Sequence, residues 1–401
     1  MFHHDLSRCP NIEAAFRAKA VKCADKLSQQ TRPMLDISAS TTDMAAWEKA
    51  SHQLKQYERI VVLGTGGSSL GAKTLCALST KKSPEIIFFD NIDPTTFDHF
   101  FEDHNLSKTA FLVISKSGST AETLCQALCV LEKLPNAAPG QIVAITEPKE
   151  SPLQKLAKKR GWPCLDHPTD IGGRFSVLSI VGLLPAMLAG VDIKKVREGA
   201  HNHWNSFKKS PSQSPATLAA ALHVQLYKTM DISYTVFMPY IDRFENLAKW
   251  FRQLWAESLG KEDMGLTPID AYGTVDQHSQ LQLYLDGPKD KFFTVVTTDM
   301  EGKGPKINIF DQTPYLENRT MGDLMAAEQK ATIDTLTNHG CPTRHIHLNE
   351  VNEETLGTLL AQLMLETMLV ADMLGVDAFS QPAVEESKRL TRQYLMESKA
   401  V

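Results

Sequence analysis

The sequence has little that would suit it to nucleic acid, to a membrane or to a disulfide scaffold. Its 42 Lys and Arg are outnumbered by 47 Asp and Glu, giving a formal net charge of -5, whereas a nucleic-acid surface needs a basic excess. An anionic small ligand stays open, because one positive pocket can sit in an acidic protein. The seven cysteines are odd in number, with no CxxC pair and no Cys/His spacing of a zinc site. Cys125 and Cys129 are four apart and share a helix face; thiols so placed are expected as small buried hydrophobes. Reduced thiols imply a cytoplasmic home. The opening MFHHDLSRCPNIEAAF has no apolar signal core. The longest uncharged run, residues 175–191, is interrupted by Ser176, Ser179, Gly182 and Pro185. It is short for a membrane span, and a buried helix explains it better.

What is present is a globular α/β texture. The 401 residues are 42% hydrophobic and 22% charged, and that length predicts two or three domains. Residues 11–57 read as mostly helical. From Arg59 onward, nearly all-apolar runs at 60–63, 86–89, 111–114 and 142–145 alternate with helical patterns, as in a doubly wound parallel sheet covered on both faces. The polar stretch 208–215 marks a boundary. A second series follows, with strands predicted at 234–238, 292–298 and 344–348 and helices at 242–259 and 353–374. The reading is two doubly wound domains with mainly parallel sheets (59–207 and 216–375), preceded by an N-terminal helical segment (1–58). A C-terminal helical arm follows (376–401).

Two strand-to-helix turns suit an anion. The first strand runs into Gly64-Thr65-Gly66-Gly67-Ser68-Ser69-Leu70-Gly71; glycines there let backbone N–H groups approach a ligand closely. The third ends in Ser115-Lys116-Ser117-Gly118-Ser119-Thr120, which puts four hydroxyls and one ammonium at a helix N-terminus, at the carboxyl end of a parallel strand. A helix cap needs one hydroxyl; several donors with a cation answer to a phosphate.

The run SKSGSTAET resembles the phosphate loop of the sugar-isomerase (SIS) domain. In order along the chain, GTGGSSLG, GGRFSVLSIVGLLP (172–185), QLWAESLGK (253–261), DQHSQLQ (276–282) and QPAVEESK (381–388) resemble segments of the phosphoglucose isomerase family. The resemblance implies two SIS-type domains and an enzyme that interconverts glucose 6-phosphate and fructose 6-phosphate, without metal or other cofactor. That places it in glycolysis and gluconeogenesis. One departure is Ala383, where the family usually carries glycine.

The same resemblance implies roles for single residues. Glu257 matches the base that moves a proton between carbons 2 and 1 through an enediolate, work suited to a carboxylate. Arg174 matches the cation beside the enediolate oxygens, and His278 and Lys388 match the ring-opening groups. Gly67, Ser68, Ser115, Lys116, Ser117 and Thr120 match phosphate contacts, and Gln253 and Gln381 match further substrate contacts. The family's histidine comes from the neighbouring subunit, which implies a homodimer with shared sites. The alternatives are an enzyme that also isomerises mannose 6-phosphate and, in another class, a sugar-phosphate sensor without turnover. A sensor has no use for Glu257.

Overall fold

The computed structural model describes residues 2–81, 83–308 and 313–397, so the last four residues of the expected C-terminal arm lie outside the described residues. Ten strands form two sheets of five. In chain order they are β1 (Phe2–Asp5), β2 (Arg59–Leu63), β3 (Glu85–Phe89), β4 (Thr109–Ile114), β5 (Ile142–Thr146), β6 (Cys164–Asp166), β7 (Tyr234–Pro239), β8 (Thr267–Asp270), β9 (Lys291–Thr298) and β10 (Thr343–Leu348).

The first sheet has the order β3-β2-β4-β5-β6 and is parallel throughout. The second has the order β1-β10-β9-β7-β8; only β1, against β10, is antiparallel. The N-terminal segment expected as helical therefore begins with a strand, which closes the edge of the second sheet. Successive side chains on each central strand enter different cores. Ile60, Val62, Leu112 and Ile114 join Phe237, Phe292 and Ile346 in one cluster between the two sheets. Val61, Leu63, Phe111 and Val113 face a second cluster, and Val236, Met238, Phe293 and Val295 a third. Burial on both faces explains why these strands read as unbroken apolar runs.

The central cluster is filled by helices between the sheets. The predicted buried segment is a 3-10 stretch, Gly173–Leu178, followed by the helix Ile180–Leu188, and its side chains are buried. The helix Glu353–Leu374 is the one long apolar helix among the described residues, and it is mostly buried inside the protein. It carries Glu366, fully enclosed with Arg344 (Nη1 to Oε2, 2.7 Å) and His223 (Nε2 to Oε1, 2.9 Å). The polar stretch 208–215 contains the turn Pro211–Gln213. It joins the helices Ile193–Lys209 and Pro215–Thr229, both of which pack on Glu353–Leu374.

Cys125 and Cys129 correct an expectation. The helix Ala121–Lys133 buries Thr123, Gln126, Ala127, Val130 and Leu131. That three-and-four spacing defines its inner face, and both cysteines fall outside it, exposed.

Candidate active site

In the first sheet β2 is followed in space by β3 on one side and β4 on the other, so the crevice lies where the β2 and β4 turns meet. Open α/β sheets bind ligands at such a point, beyond the carboxyl ends of the strands. The cavity there holds about 460 Å³, within the range of small-molecule sites. It is lined by both turns, by Arg174, Gln253 and Glu257, and by Gln381 and Lys388 from the C-terminal arm. Stretches remote in sequence thus converge on one hollow.

The β2 turn is built for close approach. Gly66 has φ +58°, a left-handed conformation that favours glycine. A Cβ on Gly67 would collide with the Gly173 carbonyl and crowd the Arg174 amide, so the missing side chain seats the arginine segment against this turn. Gln253 Nε2 lies 2.9 Å from where a Gly66 Cβ would stand, which draws the helix Glu245–Leu259 in as well.

At the β4 turn, Thr120 occupies the N-cap of the helix Ala121–Lys133, yet its hydroxyl makes no cap bond. It pairs instead with the Ser115 hydroxyl at 2.9 Å. Ser115 is buried behind the turn and does not itself line the cavity; Ser117 and Thr120 do. The Ser117 hydroxyl accepts from the Ser119 amide and hydroxyl at 3.2 and 3.1 Å. Lys116 lines the cavity and donates to the carbonyls of Thr169 and Ile171, both at 2.9 Å.

Sequence reasoning missed two residues here, Glu147 and Lys149. Glu147 follows β5 directly, and its side chain is 7% exposed. It lies 3.5 Å from the Lys116 ammonium and also pairs with Lys149. Burial works to raise the Glu147 pKa, but the Lys149 and Lys116 ammoniums outweigh it and hold the carboxyl below its ordinary value. The signal that could have found it was position alone, since it stands at a strand's carboxyl end as Ser115 does.

Arg174, which lines the same cavity, uses all three guanidinium nitrogens. Nε donates to Ser258 Oγ at 2.9 Å, and Nη1 to Glu257 Oε2 at 3.1 Å and Gln381 Oε1 at 2.9 Å. Nη2 donates to the carbonyls of Ala378 at 2.5 Å and Ser380 at 3.1 Å. Burial pulls the Arg174 pKa down while Glu257 pulls it up, and the net shift is downward. The other Glu257 oxygen accepts from Gln253 Nε2 at 2.9 Å, through the i,i+4 relation on one helix face. Lys388 lines the same cavity while paired with Glu385 at 2.7 Å. His278 is not among the cavity-lining residues; it is exposed at the end of the turn Val275–Gln277.

This arrangement gathers hydroxyls, helix-terminal amides and ammoniums in one hollow with a carboxylate clamped by a buried guanidinium. A family model described as Phosphoglucose isomerase matches residues 20–400. The chain belongs to that family. Proteins named glucose-6-phosphate isomerase from Rubrobacter xylanophilus and Thermus thermophilus are each 36% identical to it. The first alignment covers 82% of this chain and 81% of the relative; the second covers 84% of each. Among solved structures, a hypothetical protein of Thermus thermophilus superposes with a TM-score of 0.89 at 30% identity, covering 98% of this chain and 100% of that one. A glucose-6-phosphate isomerase from Chlamydia trachomatis gives 0.83 at 18% identity over 98% of this chain and 88% of that one, a likeness of fold. The two-sheet SIS-type fold expected for the phosphoglucose isomerase family is the one observed.

Proposed function

We propose that this chain isomerises glucose 6-phosphate and fructose 6-phosphate, as an aldose–ketose isomerase of glycolysis and gluconeogenesis. The observation that carries the reading is that Glu257, held on one oxygen by Arg174 and on the other by Gln253, shares a cavity with the hydroxyl-rich β4 turn. The phosphate sits on the turns bearing Gly67, Ser68, Lys116, Ser117 and Thr120, with Ser115 supporting Thr120, and this fixes the sugar by its far end. Glu257 then takes the carbon 2 proton and returns it to carbon 1. Arg174 faces the enediolate oxygens, where a fixed cation lowers the barrier most because the charge develops there. Lys388 serves ring opening together with a histidine, and Gln253 and Gln381 position the open chain.

The histidine of each site is His278 of a second copy in a homodimer. Its exposure outside its own chain's cavity fits this reading, and so do the exposed apolar side chains of Tyr394 and Met396 on the C-terminal helix. The seven free thiols fit a reducing cytoplasm. Two inactive variants, Glu257→Gln and His278→Ala, are expected to regain activity when mixed under conditions where subunits exchange. Demonstrated exchange without recovery removes the shared site. The reaction itself is tested by a coupled assay on glucose 6-phosphate with a chelator present. Full turnover is expected, and no turnover overturns the proposal.

A further inference from the structure

Outside the cavity, an apolar groove of about 300 Å³ runs between the helices Pro94–Asp103 and Ala121–Lys133. Its lining includes Ile92, Phe97, Phe101, Cys125 and Cys129, and it shares no residue with the candidate active site. Cys125 and Cys129 are one helical turn apart and both exposed. Side chains at that spacing have Cβ atoms ~5–6 Å apart. Burial, and then the Cys125 neighbour, pushes the Cys129 thiol above its ordinary pKa.

The other thiols differ. Burial pushes Cys9 and Cys76 up to about 12, Cys23 and Cys341 are buried, and Cys164 is exposed but stands alone on the short strand β6.

We propose that Cys125 and Cys129 form a chelating site for a trivalent organoarsenical, with its aryl or alkyl substituent lying in the groove against Phe97 and Phe101. Sulfur ligands select soft centres, and two thiols on one preformed helix make the second bond intramolecular, at high effective concentration. The chemistry balances without an oxidant. Two As–S bonds form and two As–O bonds of the arsonous acid break. The two thiol protons leave with the two hydroxyls as water, and arsenic stays trivalent. The aromatic floor adds apolar burial that free arsenite, lacking a substituent, does not receive.

The test is intact-mass spectrometry of the full chain treated with phenylarsine oxide in the presence of excess glutathione. One arsenic-bearing group per chain is expected, stable to the monothiol and removed by a dithiol. Cys125→Ser and Cys129→Ser are each expected to lose it, while Cys164→Ser keeps it. Both helix variants should retain circular dichroism and isomerase activity, since neither thiol touches the cavity. A wild-type chain without a glutathione-resistant adduct overturns the site, as does an adduct that survives in Cys125→Ser.

Discussion

Arg174 and Glu257 form an unequal pair. The guanidinium is 3% exposed and the carboxylate 31% exposed, with Nη1 3.1 Å from Oε2. The arginine is fixed by four further acceptors on Ser258, Ala378, Ser380 and Gln381, so it stays in place when the carboxylate turns toward a ligand. Glu257→Gln keeps the shape and removes the base. Turnover should fall by ~100- to 10,000-fold, while calorimetric binding of fructose 6-phosphate persists. Near-normal turnover would exclude Glu257 as the base.

Arg174 also ties the C-terminal arm to the body of the protein. In Arg174→Met the carbonyls of Ala378 and Ser380 lose their donor, at a cost of about 1–3 kcal/mol for the buried Ala378 acceptor left unpaired. The expected result is a lower Tm and faster proteolysis near residues 378–381. Arg174→Lys should rescue little, because an ammonium cannot reproduce the planar fork. An unchanged proteolysis pattern would show that the arm docks without this clamp.

Lys116 and Lys149 both flank Glu147 beside the β4 turn. A charge-assisted hydrogen bond is worth about 1.5–3 kcal/mol, so Lys116→Ala should raise KM for the phosphosugar by roughly ten- to a hundredfold with kcat changed far less. Lys149→Met, which removes an exposed ammonium, should shift KM in the same direction by a smaller factor, and added salt should shrink that difference. A KM unmoved by Lys116→Ala would detach the β4 turn from phosphate binding.

Acid should destabilise the fold in two stages. Burial, the leading cause, pushes His203 and His345 down to about 4 and His4 to about 3. The unfolded chain takes up these protons near pH 6.5, which the fold resists until pH 3–4. The unfolded state therefore binds more protons in that window, and stability falls as pH drops through it. Glu366 acts lower down. Burial alone would raise its pKa, but Arg344 and His223 hold it at about 2, against 4.5 ordinarily. Its contribution is complete above pH 4.5 and is lost as pH falls toward 2. Calorimetry should give a Tm that declines from pH 6.5 to 4, with a shallower slope in His203→Gln. A flat Tm across that range would contradict this account.

The central strands were legible in the sequence because each is buried on both sides. Residues 60–63 and 111–114 carry no polar side chain at all. Among the four edge strands, only β3 was legible, from its run at 86–89; the other three were not. β8 reads Thr-Pro-Ile-Asp, and Pro268 is tolerated only because an edge needs no second row of amide donors. β6 and β1 are equally short and polar. In the site, motif order brought out Arg174, Glu257 and the β4 turn. Glu147 was invisible because a lone acid after a strand looks like any solvated residue until Lys116 and Lys149 are seen around it. Lys388 pairs with Glu385 and also lines the cavity. The cysteine pair was misread because the inner face of its helix is set by Thr123 and Gln126, polar residues that an apolar pattern passes over.

β1 joins β10, a strand far from it in the sequence, in one sheet. Phe2 is registered against Leu348, so β1 has no ladder partner until β10 has been made. The first sheet has all five of its strands synthesised by residue 166 and can assemble while translation continues. The second sheet cannot seal its outer edge until β10 emerges, and until then β10's partner drifts as an unpaired tail. Synthesis that stalls short of β10 therefore leaves a complete first sheet tethered to an unfinished one, a species with no closed second sheet.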